Sequence, residues 1–202
     1  LLFPRLALLD ARYMAALPRA TTVNTAIDAL SHAVEGALAR RANALSDSVA
    51  ADSLSRLTPA LESLPSREPD AATRESLLYG SMLAGMVIAH TGTTAVHAMG
   101  YPLTYFRDID HGRANGLQLA SFLRFTQRRE PAPVQRVLDA TGLAGLDAFD
   151  ALLRGLLGQR ETFTRAELAR YADTVIRAKN IQNCPVEPTR ADLLAMYEES
   201  LL

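Results

Sequence analysis

The chain has four histidines, His32, His90, His97 and His111, and three of them stand where a divalent cation could be held. Asp28 and His32 are four residues apart, so on a helix their side chains leave the same face about one turn apart. One helix could then offer an oxygen and a nitrogen to a single ion. Such a pair is a common accident of sequence, but its surroundings give it weight. Ala26, Ile27, Ala29, Leu30, Ala33 and Val34 make this stretch small and apolar, and an unpaired carboxylate buried there is costly. His97 lies in a second apolar stretch, and His111 opens a third after Asp108 and Asp110. Helices that bring polar groups to one point are how metal sites in bundles are built. One carboxylate with three imidazoles suits Fe2+, Zn2+, Co2+ or Ni2+, whereas three nitrogens disfavour Mg2+ and Ca2+. Taken singly, each histidine also reads as a hydrogen-bonded core or surface residue and Asp28 as a cap. Spacing alone leaves the two readings open.

The elements that must position these groups are almost all helical. Helical period runs through Asn24 to Arg40, Asn43 to Leu64, Asp70 to about His90, and a short stretch carrying His97 that Gly100, Tyr101 and Pro102 should end. A loop over Thr104 to Asp110 then leads to the helix opened by His111. Pro131 to Ala140, Leu146 to Leu157, Arg165 to Lys179 and Thr189 to Leu202 complete the count. Asn43, Thr164 and Thr189 stand at N-cap positions, and Glu167 and Asp192 follow the two threonines by three residues, as a capping box requires. The expected fold is all-α, a multi-helix bundle of about eight or nine helices. One short strand is expected from Phe3 to Asp10, left without a partner.

Composition narrows the function classes. Half the residues are apolar and the formal net charge is −1, so neither nucleic acid nor a membrane is an expected partner. The Arg128–Arg129 doublet is too short to make a basic face. The single cysteine, Cys184, cannot form an internal disulfide, which fits a reducing, cytoplasmic setting, and it reads as an inert thiol. The chain begins at Leu1 rather than a methionine, and a fragment or processed product is expected.

The segment from Thr25 to Gly36, together with Ala95 to Leu103 and Asp110 to Gly116, resembles the two metal segments of the iron-containing (group III) alcohol dehydrogenase family. His97 and His111 are fourteen residues apart, as in that family. The resemblance covers nearly the whole chain. It implies residues 1–17 as a junction strand and connector, and residues 18–202 as the helical metal-binding domain. An N-terminal α/β domain that binds NAD(P) through a Gly-rich turn is missing, and the short strand would be its remnant. By the same resemblance Asp28, His32, His97 and His111 are the metal ligands, with Fe2+ as the expected ion and Zn2+ or another first-row ion as alternatives. His90 matches no ligand position and is expected to be structural. Many family members carry a further histidine where this chain has Tyr101, so Tyr101 is the candidate group beside the nicotinamide.

The implied activity is reversible hydride transfer between a small alcohol and NAD(P), giving an aldehyde or ketone, with the metal as Lewis acid. The cofactor would be held by the missing domain, no cofactor-binding residue is expected in this chain, and the chain alone should be inactive. A homodimer is expected. Glu35 is a candidate to orient a ligand from behind, or else a solvated or subunit-facing carboxylate. Two other readings remain: a sister enzyme of the glycerol dehydrogenase or dehydroquinate synthase type, and a helical assembly domain whose metal is structural.

Overall fold

A computed structural model describes residues 4–66, 68–159 and 161–202. Among them nine α-helices follow one another: α1 (Arg19–Leu38), α2 (Ala44–Ser63), α3 (Ala71–Thr91), α4 (Ala95–Arg107), α5 (His111–Gln127), α6 (Pro131–Thr141), α7 (Leu146–Leu157), α8 (Arg165–Val175) and α9 (Arg190–Leu201). Short 3-10 turns lie at Ala11–Met14 and Lys179–Asn183. The all-α expectation holds. Thr164 and Thr189 each close a capping box, as their spacing suggests, and the Asn43 cap also closes one, with Ser46.

Helix α1 runs through the middle of the bundle, packed against α2, α3 and α5. It is buried on more than one face because its residues are small or apolar: Ile27, Leu30, Ala33 and Val34 are fully enclosed. No described helix is long and apolar enough to cross a membrane.

Three expectations need correction. The described residues contain no strand: residues 4–10 join no ladder, because a lone apolar run has no neighbour to take its backbone groups, and Leu6 and Leu8 lie exposed. Phe3, where that strand was to begin, lies outside the described residues. Second, Pro102 does not end α4, which continues to Arg107 with the proline inside it. Its face of Val96, Met99, Pro102 and Leu103 is buried, and the Tyr197 hydroxyl donates to the Met99 carbonyl at 2.7 Å, so core packing outweighs the lost backbone bond. The loop before His111 therefore shrinks to Asp108–Asp110, with Asp108 in the left-handed region at φ 52°. Third, α8 stops at Val175, and the chain continues to the 3-10 turn at Lys179–Asn183.

The far side of the bundle is tied by charge. Asp150 of α7 accepts from Arg124 of α5 at 2.7 Å and from Arg154 at 2.8 and 3.0 Å, while Arg124 also donates to Glu199 of α9. Burial alone would raise the Asp150 pKa, but the two guanidinium groups outweigh it and hold the carboxyl below its usual 3.8. A depressed carboxylate pKa stabilises the fold above the unfolded value, and that contribution is lost as pH falls through the folded one. Asp150→Asn should therefore lower stability by about 1–2 kcal/mol at neutral pH, measured by urea unfolding. The gap to wild type should close in acid, below pH 3.8. A deficit independent of pH would mean the charge is not what matters.

Candidate metal centre

Three helix segments meet at one point because the α4–α5 connection is short and the contact residues against α1 are small. Asp110 caps α5, accepting from the Gly112 amide at 3.1 Å, so His111 is the first helical residue. Gly112 follows it against α1, where a Cβ would lie 1.9 Å from the Asn24 carbonyl oxygen. Only a residue without a side chain lets the start of α5 press on α1 here. That contact sets His111 beside Asp28.

The donor atoms converge. Asp28 Oδ1 is 3.6 Å from His97 Nε2 and 3.7 Å from His111 Nε2. One donor atom from each of these three residues lies within 4.8 Å of the others. His32 is the outlying member: its Nε2 is 3.8 Å from Asp28 Oδ2, and its ring stacks on His97 with centroids 4.7 Å apart. Burial pushes the His32 pKa down against the attraction of Asp28, which favours the neutral imidazole that a metal needs. Side-chain exposure runs from 4% at His97, through 21% at His32 and 26% at Asp28, to 38% at His111. The cluster is closed behind His97 and open at His111.

Glu35, three residues beyond His32 on α1, is a buried carboxylate and not a solvated one. Its Oε1 accepts from the Thr94 amide and hydroxyl, each at 2.8 Å, and from the His97 amide at 3.3 Å. Its Oε2 takes a short hydrogen bond from His97 Nδ1. Burial would raise the Glu35 pKa, but the His97 charge and the His97 and Thr94 hydrogen bonds outweigh it and keep the carboxyl ionised. Burial likewise works to lower the His97 pKa, and Glu35 reverses it. With Nδ1 donating to Glu35, the free lone pair of a neutral His97 is on Nε2, aimed into the cluster.

Sequence reasoning missed two residues. Thr94 occupies the N-cap of α4 without capping through its own side chain, and only its place just before a helix marked it. Asn115 lies one turn beyond His111 on α5, the same i, i+4 relation as Asp28 and His32. Its Nδ2 is 2.9 Å from Asp28 Oδ1, 3.3 Å from His97 Nε2 and 3.2 Å from His111 Nε2. An amide nitrogen has two hydrogens, so three acceptors outnumber them. With the imidazole Nε2 lone pairs free, a point ringed by more lone pairs than protons suits a cation.

The remaining candidates fall elsewhere. His90 pairs with Asn43, at the cap of α2, with Nδ2 to Nε2 at 2.7 Å. Burial pushes the Cys184 thiol up to about 12 and leaves it inert. Tyr101 lies against the cluster, its ring stacked on His111 at 5.7 Å and edge-on to His97 at 6.4 Å.

The model of the Fe-containing alcohol dehydrogenase family, C-terminal, matches residues 22–201. The chain belongs to the iron-containing alcohol dehydrogenase family. It is 34% identical over 122 residues to the lactaldehyde reductase of Escherichia coli (strain K12), covering 60% of this chain and 31% of that protein. It is 30% identical over 150 residues to the 1,3-propanediol dehydrogenase of Klebsiella pneumoniae, covering 73% and 39%. Among solved structures, an iron-containing alcohol dehydrogenase of Thermotoga maritima superposes with a TM-score of 0.89 at 36% identity, over 100% of this chain and 55% of that one. A sulfoacetaldehyde reductase of Bifidobacterium kashiwanohense, solved with NAD+, gives 0.87 at 31% identity over 98% and 55%. The chain thus spans about half the length of its solved relatives, and less of these two curated ones.

Glu35→Ala would leave the Thr94 and His97 donors unpaired in the core and should destabilise by about 3 kcal/mol in denaturant unfolding. Glu35→Gln should cost less, since its amide oxygen can still accept from Thr94. A loss below about 1 kcal/mol for the alanine variant would refute the capping role.

Proposed function

We propose that this chain is the metal-holding half of an NAD(P)-dependent alcohol dehydrogenase that interconverts a small alcohol with its aldehyde or ketone. The carrying observation is the convergence of Asp28, His97 and His111, with His32 beside them, from three helices. Asp28, His32, His97 and His111 would hold one divalent ion, with Fe2+ first by family and Zn2+ next. Lewis-acid polarisation of an alcohol or carbonyl oxygen is the chemistry such an ion supplies when bound.

The other groups hold, orient or exclude. Asp28 offsets part of the ion's charge. Glu35 keeps the His97 proton on Nδ1 and the lone pair on Nε2. Tyr101 walls one side of the cluster, and burial with the nearby Glu35 and Asp28 charges pushes its phenol pKa up, so it remains a hydrogen-bond donor. The exposure at His111 and Asp28 supports an open coordination position, which favours a catalytic ion over a structural one. That is the observation against the assembly-domain reading.

The cofactor would come from a nucleotide-binding domain outside these residues. Exposed apolar side chains support a partner surface next to the cluster: Tyr101, Tyr105 and Phe106 on α4 all stand open. They would be covered when the cofactor is brought against the metal face.

Metal analysis tests the reading. The purified chain, loaded anaerobically with Fe2+ or with Zn2+, should hold about one ion per chain with a rise in melting temperature. His97→Ala with His111→Ala should abolish both. The chain alone should not turn over alcohol with NAD(P). Failure to bind either ion, or turnover without any further domain, would overturn the proposal.

A further inference from the structure

Asn115 is fully buried, yet its carbonyl oxygen has no hydrogen-bond partner among the described residues. An asparagine in a core ordinarily satisfies both ends of its amide. Here the donor end faces Asp28 Oδ1, His97 Nε2 and His111 Nε2, and the acceptor end is pressed against α4 at Gly100. A Cβ on Gly100 would lie 2.2 Å from Asn115 Oδ1. A half-turn of the amide would set its oxygen against the Asp28 carboxylate oxygen, with repulsion there. The orientation is therefore dictated by the cluster and not by the needs of the amide itself.

We propose that Asn115 is a positioning residue for the Asp28 carboxylate, and that Gly100 exists to seat it. This inference rests on the reading of the cluster as a metal site. Without an ion, the two amide hydrogens are shared among three acceptors and keep the lone pairs from driving the ligand groups apart. With an ion, the Nε2 lone pairs of His97 and His111 are engaged, and Asp28 Oδ1 is the acceptor left to the amide. It is also the nearest of the three, at 2.9 Å. Asn115 then holds the carboxylate against rotation about its last bond. Glu35 orients the His97 imidazole from α1, and Asn115 does the same for the carboxylate from α5.

The experiment compares wild type with Asn115→Leu, Gly100→Ala and the double variant. Co2+ affinity is measured by chelator competition, and the visible absorption of the Co2+ protein is recorded at saturation. Asn115→Leu keeps the branched shape and removes the donor, and Gly100→Ala displaces the amide without touching a ligand. Each single variant should raise the Kd for Co2+ by about 10- to 100-fold, and each should shift the Co2+ bands even when fully loaded. General destabilisation would not move those bands. The double variant should bind no worse than Asn115→Leu, because both changes remove one interaction. If Asn115→Leu does not fold, Gly100→Ala decides by the same two readouts. Unchanged affinity and spectrum in the variants, with wild type binding Co2+, would overturn the role of Asn115 alone. No Co2+ binding by wild type would overturn the metal reading and this inference with it.

Discussion

One buried carboxylate links two of the three helices on which the site depends. The first turn of α4 has backbone donors that its own N-cap side chain does not satisfy. Glu35 reaches from α1 and supplies the missing acceptor through Oε1, while Oε2 takes the His97 ring proton. A helix N-terminus favours negative charge, so the cap and the histidine together make an ionised carboxylate tolerable in a position with no exposure at all. Remove the side chain and two things fail together: the start of α4 loses its anchor, and the His97 ring loses what sets its tautomer. Structural and chemical roles cannot be separated in this residue because one functional group performs both.

Helix α1 can serve as the hub because of how its polar groups are spaced. Asp28, His32 and Glu35 fall at i, i+4 and i+7, one continuous stripe along an otherwise apolar rod. The first two groups face the cluster and the third reaches behind it. The opposite faces of the helix carry alanines and branched apolar residues that let α2 and α3 approach closely. On α5 the glycine after His111 performs the matching task, since the carbonyl of Asn24 occupies the space a side chain would need. The distance between Asp28 and His111 is thus a consequence of backbone contact, and it does not depend on the flexibility of long side chains.

Residues whose chemistry is written in a local pattern were legible in the sequence. The i, i+4 pair on α1, the histidine that opens α5 after a short acidic loop, and the capping boxes of α8 and α9 each need only a few neighbouring positions to be recognised. What stayed hidden depends on contacts distant in sequence. Glu35 could be read as solvated or as orienting a ligand, and only the α1–α4 packing removes its water. Asn115 has no local signal beyond its distance from His111, because the groups it serves are on two other helices. Pro102 reads as a stop when only its own turn is considered, yet the core packing of Met99 and Leu103 carries the helix through it. The expected strand failed for the converse reason: a strand needs a partner, and no local apolar run can supply one.

The gradient of exposure across the cluster follows from the same connections. His97 is fixed on both sides, by Glu35 at Nδ1 and by the stacked ring of His32, and almost none of its surface meets solvent. His111 meets the Tyr101 ring and the Asn115 amide, and more than a third of its side chain is open. A cluster held this way has one rigid wall and one accessible side. The ordering of the rigid wall belongs to folding of the bundle, so an ion entering from the open side would meet His97 already oriented. The side chains left to adjust would be the exposed ones, where a change of geometry disturbs little of the core.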